Sequence, residues 1–90
     1  MNKEQRSKVQ IYTIEGCPFC MASLELLHGL GIEHEVIDLS GRMDRREVVS
    51  AILPGHHSVP LILIDGKPIG GNSELQSMHA AGKLTEQVFA

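Results

Sequence analysis

The stretch Lys8-Val9-Gln10-Ile11-Tyr12-Thr13-Ile14-Glu15-Gly16-Cys17-Pro18-Phe19-Cys20 decides the fold. Its first half, residues 8–13, alternates apolar and polar side chains and is rich in strand formers, so it predicts a strand. Glu15-Gly16 breaks that strand. Pro18 then suits the first turn of a helix, where its missing N–H costs nothing. Beyond it Cys20, Leu24, Leu27 and Leu30 recur at helical spacing, with Met21 and Leu26 widening the stripe. Gly29 and Gly31 supply the stop.

A strand followed at once by a helix calls for a second strand beside the first. Glu35-Val36-Ile37-Asp38-Leu39 provides it. Ser40-Gly41 turns the chain into a second helix, about 43–53, charged on one side and apolar on the other, which Pro54-Gly55 ends. The run Val59-Pro60-Leu61-Ile62-Leu63-Ile64 is apolar without alternation, as in a central strand covered on both faces. Asp65-Gly66 is a hairpin signal leading to a short strand at 67–69. Gly70-Gly71 and Asn72-Ser73-Glu74 open a last helix carrying Leu75, Met78, Leu84 and Val88, with Asn72 or Ser73 as its cap. The order is βαβαββα: an α/β chain with a four-stranded mixed sheet flanked by about three helices. Residues 1–90 read as one domain, with 1–7 as a frayed N-terminal extension.

The composition agrees and excludes other classes. Ninety residues with 42 % hydrophobic and 21 % charged side chains describe a globular chain. A net charge of −3, from 8 Lys+Arg against 11 Asp+Glu, offers no basic face for nucleic acid. No apolar run approaches the 18 or so residues of a spanning helix, and the charged start has no signal-peptide core behind it. The chain therefore reads as cytoplasmic and free of the membrane.

Both cysteines fall in Cys17-Pro18-Phe19-Cys20, too close together to staple a fold. Cys17 stands just before the helix that begins at Pro18. The unpaired N–H groups and the positive end of the helix dipole favour a thiolate there. Cys20, three residues on, points to the apolar side and keeps its proton. That asymmetry suits an attacking thiol followed by a resolving thiol, with a mixed disulfide between. A zinc site would need two further ligands, and none of His28, His34, His56, His57 and His79 shows ligand spacing with the cysteines, so no metal is expected. His28, His34 and His79 read as surface, and Met21, Met43 and Met78 as packing.

From about Val9 to Leu84 the chain resembles a glutaredoxin, a protein of the thioredoxin-like fold. Tyr12-Thr13, Cys17-Pro18-Phe19-Cys20, Ser58-Val59-Pro60 and Gly70-Gly71-Asn72-Ser73 carry the resemblance, in order and at family spacing. It implies a dithiol enzyme that reduces protein disulfides and glutathione mixed disulfides, with no bound cofactor and glutathione as reducing co-substrate. Cys17 would be the nucleophile and Cys20 the resolving thiol. It further implies a cis bond before Pro60, which turns the Val59 backbone to pair with the cysteinyl part of glutathione. The γ-glutamyl carboxylate would sit at the helix start around Gly71, Asn72 and Ser73. Tyr12, Phe19 and Ser58 complete the expected glutathione contacts. The partners implied are glutathione and disulfide-containing or glutathionylated proteins, met by a monomer.

Two departures stand out. Where many glutaredoxins carry a lysine three residues before the first cysteine, this chain has Ile14. Where an arginine is common before the Val-Pro element, it has His56, beside His57. His56 or His57, with Arg45 or Arg46, are the candidates to replace the missing charges. Two other readings share the cysteines. One draws electrons from a thioredoxin reductase. The other is a binding module holding an iron–sulfur cluster between two protomers through Cys17 and glutathione, against which Pro18 argues.

Overall fold

The computed structural model describes residues 4–89. Four strands form one mixed sheet: β1 (Val9–Thr13), β2 (Glu35–Asp38), β3 (Leu61–Ile64) and β4 (Lys67–Gly70), in the order β2-β1-β3-β4. β1 runs parallel to β2, with Ile11 opposite Val36, and antiparallel to β3, with Ile11 opposite Ile62. The parallel pair requires a crossover, which α1 (Pro18–Gly29) supplies. β3 and β4 are joined by the tight Asp65-Gly66 turn.

All four residues of β3 are buried, as its unbroken apolar run requires. One core lies between the sheet and α1, α3 (Asn72–Ala80) and α4 (Lys83–Val88). It holds Val9, Ile11, Leu27, Ile62, Ile64, Leu75, Leu84 and Val88. The second, on the other face, packs α2 (Arg45–Ile52) through Val49 against Leu39, Leu61 and Leu63. Val9 and Ile11 serve one core and Tyr12 the other, which is the period-two alternation of β1 turned into two layers.

Four elements differ from the sequence reading. The last helix is two helices: the N–H of Ala81 bonds to Ser77 O and that of Gly82 to His79 O, and Gly82, at φ 73°, turns left-handed and restarts the chain as α4. Leu84 and Val88 are nonetheless fully buried. The helix α3 is not capped by Asn72 or Ser73. Gly71 holds the cap position, and the Glu74 carboxylate reaches back to accept its N–H at 2.7 Å. Gln5–Ser7, read as part of a frayed extension, are tied down. Gln5 pairs with Phe89, and the N–H groups of Arg6 and Ser7 both donate to Val88 O. Residues 1–3 lie outside the described residues. Finally, Met21 does not widen the buried stripe of α1, being 57 % exposed. Met43 is wholly exposed, and of Met21, Met43 and Met78 only Met78 packs against the core. No described helix is long and apolar enough to cross a membrane.

Candidate active site

Cys17 is the N-cap of α1, so the helix start converges on its sulfur. The N–H of Cys20 donates to Cys17 Sγ at 3.2 Å, as a capping side chain requires. The loop that carries Cys17 is held at its other end. Leu39 N–H donates to Thr13 O at 2.8 Å, and Glu15 N–H donates to Ser40 Oγ at 2.7 Å. The hydroxyl of Ser40 thereby continues, by one side chain, the ladder between β1 and β2.

The two sulfurs have different surroundings. Cys17 is half-buried and Cys20 is 1 % exposed, both as free thiols. Burial pushes the Cys20 thiol up to about 12, and its hydrogen bond to Cys17 adds to the effect. Cys20 therefore keeps its proton at neutral pH and presents it to Cys17. This is the asymmetry expected of an attacking and a resolving thiol.

Cys17 Sγ faces the carbonyl of Val59 at 3.9 Å, and the Val59–Pro60 bond is cis. Beside this wall opens a cleft of about 180 Å³. Of the expected glutathione contacts, Phe19, Ser58, Val59, Pro60, Gly71, Asn72 and Ser73 line it. Tyr12 does not: it sits on β1 and packs on the core beneath α2. Phe19 is 66 % exposed, leaving its ring free for a ligand or a client.

Asn72 has a role that its sequence position conceals. Its Oδ1 accepts from Ser23 Oγ at 2.8 Å and from Gln76 Nε2 at 3.2 Å, which ties the start of α3 to the cysteine-bearing helix. Ser23 is fully buried one turn beyond Cys20. A serine on the apolar side of α1 was the available signal for this bond.

Gly70 is required by its backbone conformation and Gly71 by the close approach of Pro60 and His56. Gly70 stands at φ 121°, and a Cβ there would lie 2.5 Å from Glu74 Oε1. A Cβ on Gly71 would meet Pro60 O at 3.2 Å and His56 Cε1 at 3.3 Å. Glu74 itself lines the cleft and was not anticipated. Its signal was the acidic third position of a helix whose start lacks a side-chain cap.

Of the four candidate cations, the structure brings only His56 to the cleft, where its Nε2 lies 3.2 Å from Pro60 O. His57, Arg45 and Arg46 are exposed and are not among its lining residues, and Ile14 packs on the second core. Among the described residues no three His, Cys, Asp or Glu side chains gather as a metal site.

The family model described as glutaredoxin matches residues 9–69. A protein of Synechocystis sp. named "Probable glutaredoxin" is 40 % identical over 78 residues, covering 87 % of this chain and 89 % of that one. Glutaredoxin 3 of Escherichia coli is 35 % identical over 78 residues, covering 87 % and 93 %. The structure of a buckwheat glutaredoxin–glutathione complex superposes with a TM-score of 0.81 at 27 % identity, over 91 % of this chain and 76 % of that one.

Proposed function

This chain belongs to the glutaredoxin family and is a glutathione-dependent thiol–disulfide oxidoreductase; on that premise we propose that it is a dithiol enzyme in which Cys17 attacks and Cys20 resolves. The observation that carries this reading is the pairing of a half-buried Cys17 at a helix N-terminus with a buried, proton-retaining Cys20.

With a glutathionylated protein, the Cys17 thiolate attacks the glutathione sulfur. The S–S bond to the protein breaks, and the released protein thiolate takes up a proton. Cys17 then carries the glutathione. A second glutathione thiolate attacks that disulfide, leaving glutathione disulfide and the Cys17 thiolate. With a protein disulfide, Cys17 forms a mixed disulfide with one client sulfur and frees the other. Cys20 loses its proton, attacks Cys17 Sγ and displaces the client as a dithiol, leaving the Cys17–Cys20 disulfide. Two glutathiones supply the two electrons that reopen it.

The bound glutathione would lie in the cleft beside Val59, with Phe19 and Ser58 along it and the γ-glutamyl carboxylate at Gly71, Asn72 and Ser73. The buckwheat relative forms a glutathione complex, which supports this assignment. We take the enzyme to work as a monomer in a single domain spanning residues 1–90. Its place is the cytoplasm, where a reducing glutathione pool feeds such chemistry.

A coupled glutathione-reductase assay tests the roles. Cys20→Ser should keep activity on a small glutathione mixed disulfide and lose most reduction of a protein disulfide. Cys17→Ser should lose both. Equal losses in the two assays for Cys20→Ser contradict the assignment.

A further inference from the structure

The two ends of the Asn72 carboxamide have different surroundings. Both lone pairs of Oδ1 are taken, one by Ser23 Oγ at 2.8 Å and the other by Gln76 Nε2 at 3.2 Å. Ser23 is fully buried on α1, so the oxygen is held towards the interior. The Nδ2 group has no partner among the described residues. It is not enclosed either, because among those residues no buried side-chain nitrogen or oxygen lacks a hydrogen bond. Asn72 is half-buried and lines the cleft beside Ser73 and Glu74. Its nitrogen is thus the accessible end of the amide, with two N–H donors unspent.

Donors matter at this helix start because one of them is already used. Glu74 Oε1 accepts the Gly71 N–H at 2.7 Å, which withholds that group from an entering carboxylate. The unpaired N–H groups of the first turn remain, with the Ser73 hydroxyl. None of the described lysines or arginines lines the cleft, and His56 directs its Nε2 at the Pro60 carbonyl. A carboxylate lodged here draws on individual N–H and O–H donors, and a pair held in a fixed direction adds to their number.

We propose that Asn72 is a specificity-determining residue for the γ-glutamyl end of glutathione: its Nδ2 donates to the α-carboxylate there, and Ser23 is the positioning residue that fixes the amide in that sense. The inference deepens the glutathione-dependent reading of the cleft and rests on it. Ser23 stands one turn beyond Cys20, so the helix that presents the thiols also sets a donor that orients the ligand. Loss of either side chain then weakens the recognition of thiols that carry this carboxylate and spares those that lack it.

The test uses the reduced full chain and mixed disulfides of one chromogenic thiol with two partners. One is glutathione; the other is γ-aminobutyryl-cysteinylglycine, which lacks only the α-carboxylate. The second-order constant for release of the chromogenic thiol is read for each, and their ratio is taken within each protein, so that a smaller folded fraction cancels. Both conjugates keep the ammonium and the C-terminal carboxylate, so contributions at those groups cancel too. The unmodified protein should prefer the glutathione conjugate. Asn72→Ala should lower that ratio by about three- to tenfold, as expected for the loss of a hydrogen bond to an accessible carboxylate. Ser23→Ala keeps Asn72 but frees its amide to turn, and should lower the ratio by about two- to fivefold. A ratio that Asn72→Ala leaves within about twofold of its original value overturns the proposal, as does an unmodified protein with no preference. A ratio lowered by Asn72→Ala and untouched by Ser23→Ala overturns the positioning role of Ser23. Release from neither conjugate by the unmodified protein contradicts the glutathione-dependent reading itself, and this inference with it.

Discussion

The backbone N–H of Cys20 donates to the sulfur of Cys17 at 3.2 Å, while the sulfur of Cys20 is buried beneath it. One residue thus stabilises negative charge on its neighbour and withholds its own thiol from solvent. The first consequence concerns reactivity.

With Cys20 pushed up to about 12, only Cys17 should be alkylated by iodoacetamide at neutral to mildly alkaline pH. Peptide mass spectrometry of the reduced protein after a brief reaction should show one modified cysteine, Cys17. Comparable labelling of both would contradict the difference in environment.

The same shift ties stability to pH. The folded thiol titrates near 12 against an ordinary value of 9.0, so folding favours the protonated form. The stabilisation is complete below about pH 9 and is lost as pH rises through 12. At pH 10 the unfolded chain has gained about 1 kcal/mol from ionising this thiol. Urea unfolding of the reduced protein at pH 8 and 10 should show that loss, and Cys20→Ser should lack it, once the losses common to both proteins are subtracted. Identical slopes would mean that Cys20 ionises freely in the folded state.

The Ser23–Asn72 hydrogen bond joins the two helices that frame the cleft. Ser23→Ala removes the hydroxyl of a fully buried serine, leaves half-buried Asn72 with one fewer partner, and should cost about 1–2 kcal/mol. In a double-mutant cycle with Asn72→Ala the two changes should be non-additive, because either one removes the same bond. Additive losses in denaturant unfolding would show that the bond does not couple the helices.

Much of this was legible in the sequence, and the failures have local causes. Alternation in Val9–Thr13 and the unbroken run of Leu61–Ile64 marked the two central strands of the sheet, since burial writes itself into residue type. Pro18 after Cys17 marked the helix start. Gly82 was passed over because Leu84 and Val88 continue an apolar stripe across it, and periodicity alone does not register a left-handed residue that restarts a helix. The attachment of Gln5–Ser7 depends on Val88 and Phe89 at the far end of the chain, a contact that no window around residue 6 contains.

At the site, the residue types of the cleft were legible and their partners were not. Asn72 was expected as a cap, and instead its Oδ1 is taken by Ser23 and Gln76, leaving the cap to Glu74. Tyr12 falls outside the cleft because it packs against the second core, of Leu39, Val49, Leu61 and Leu63.

The central claim is that Cys17 alone carries glutathione through the reaction. It is tested most directly by treating reduced Cys20→Ser and Cys17→Ser with glutathione disulfide and locating the adduct by peptide mass spectrometry. The account predicts one glutathione on Cys17 in Cys20→Ser, removed by added glutathione, and none on Cys20 in Cys17→Ser. A glutathione adduct on Cys20, or none on Cys17, would contradict it.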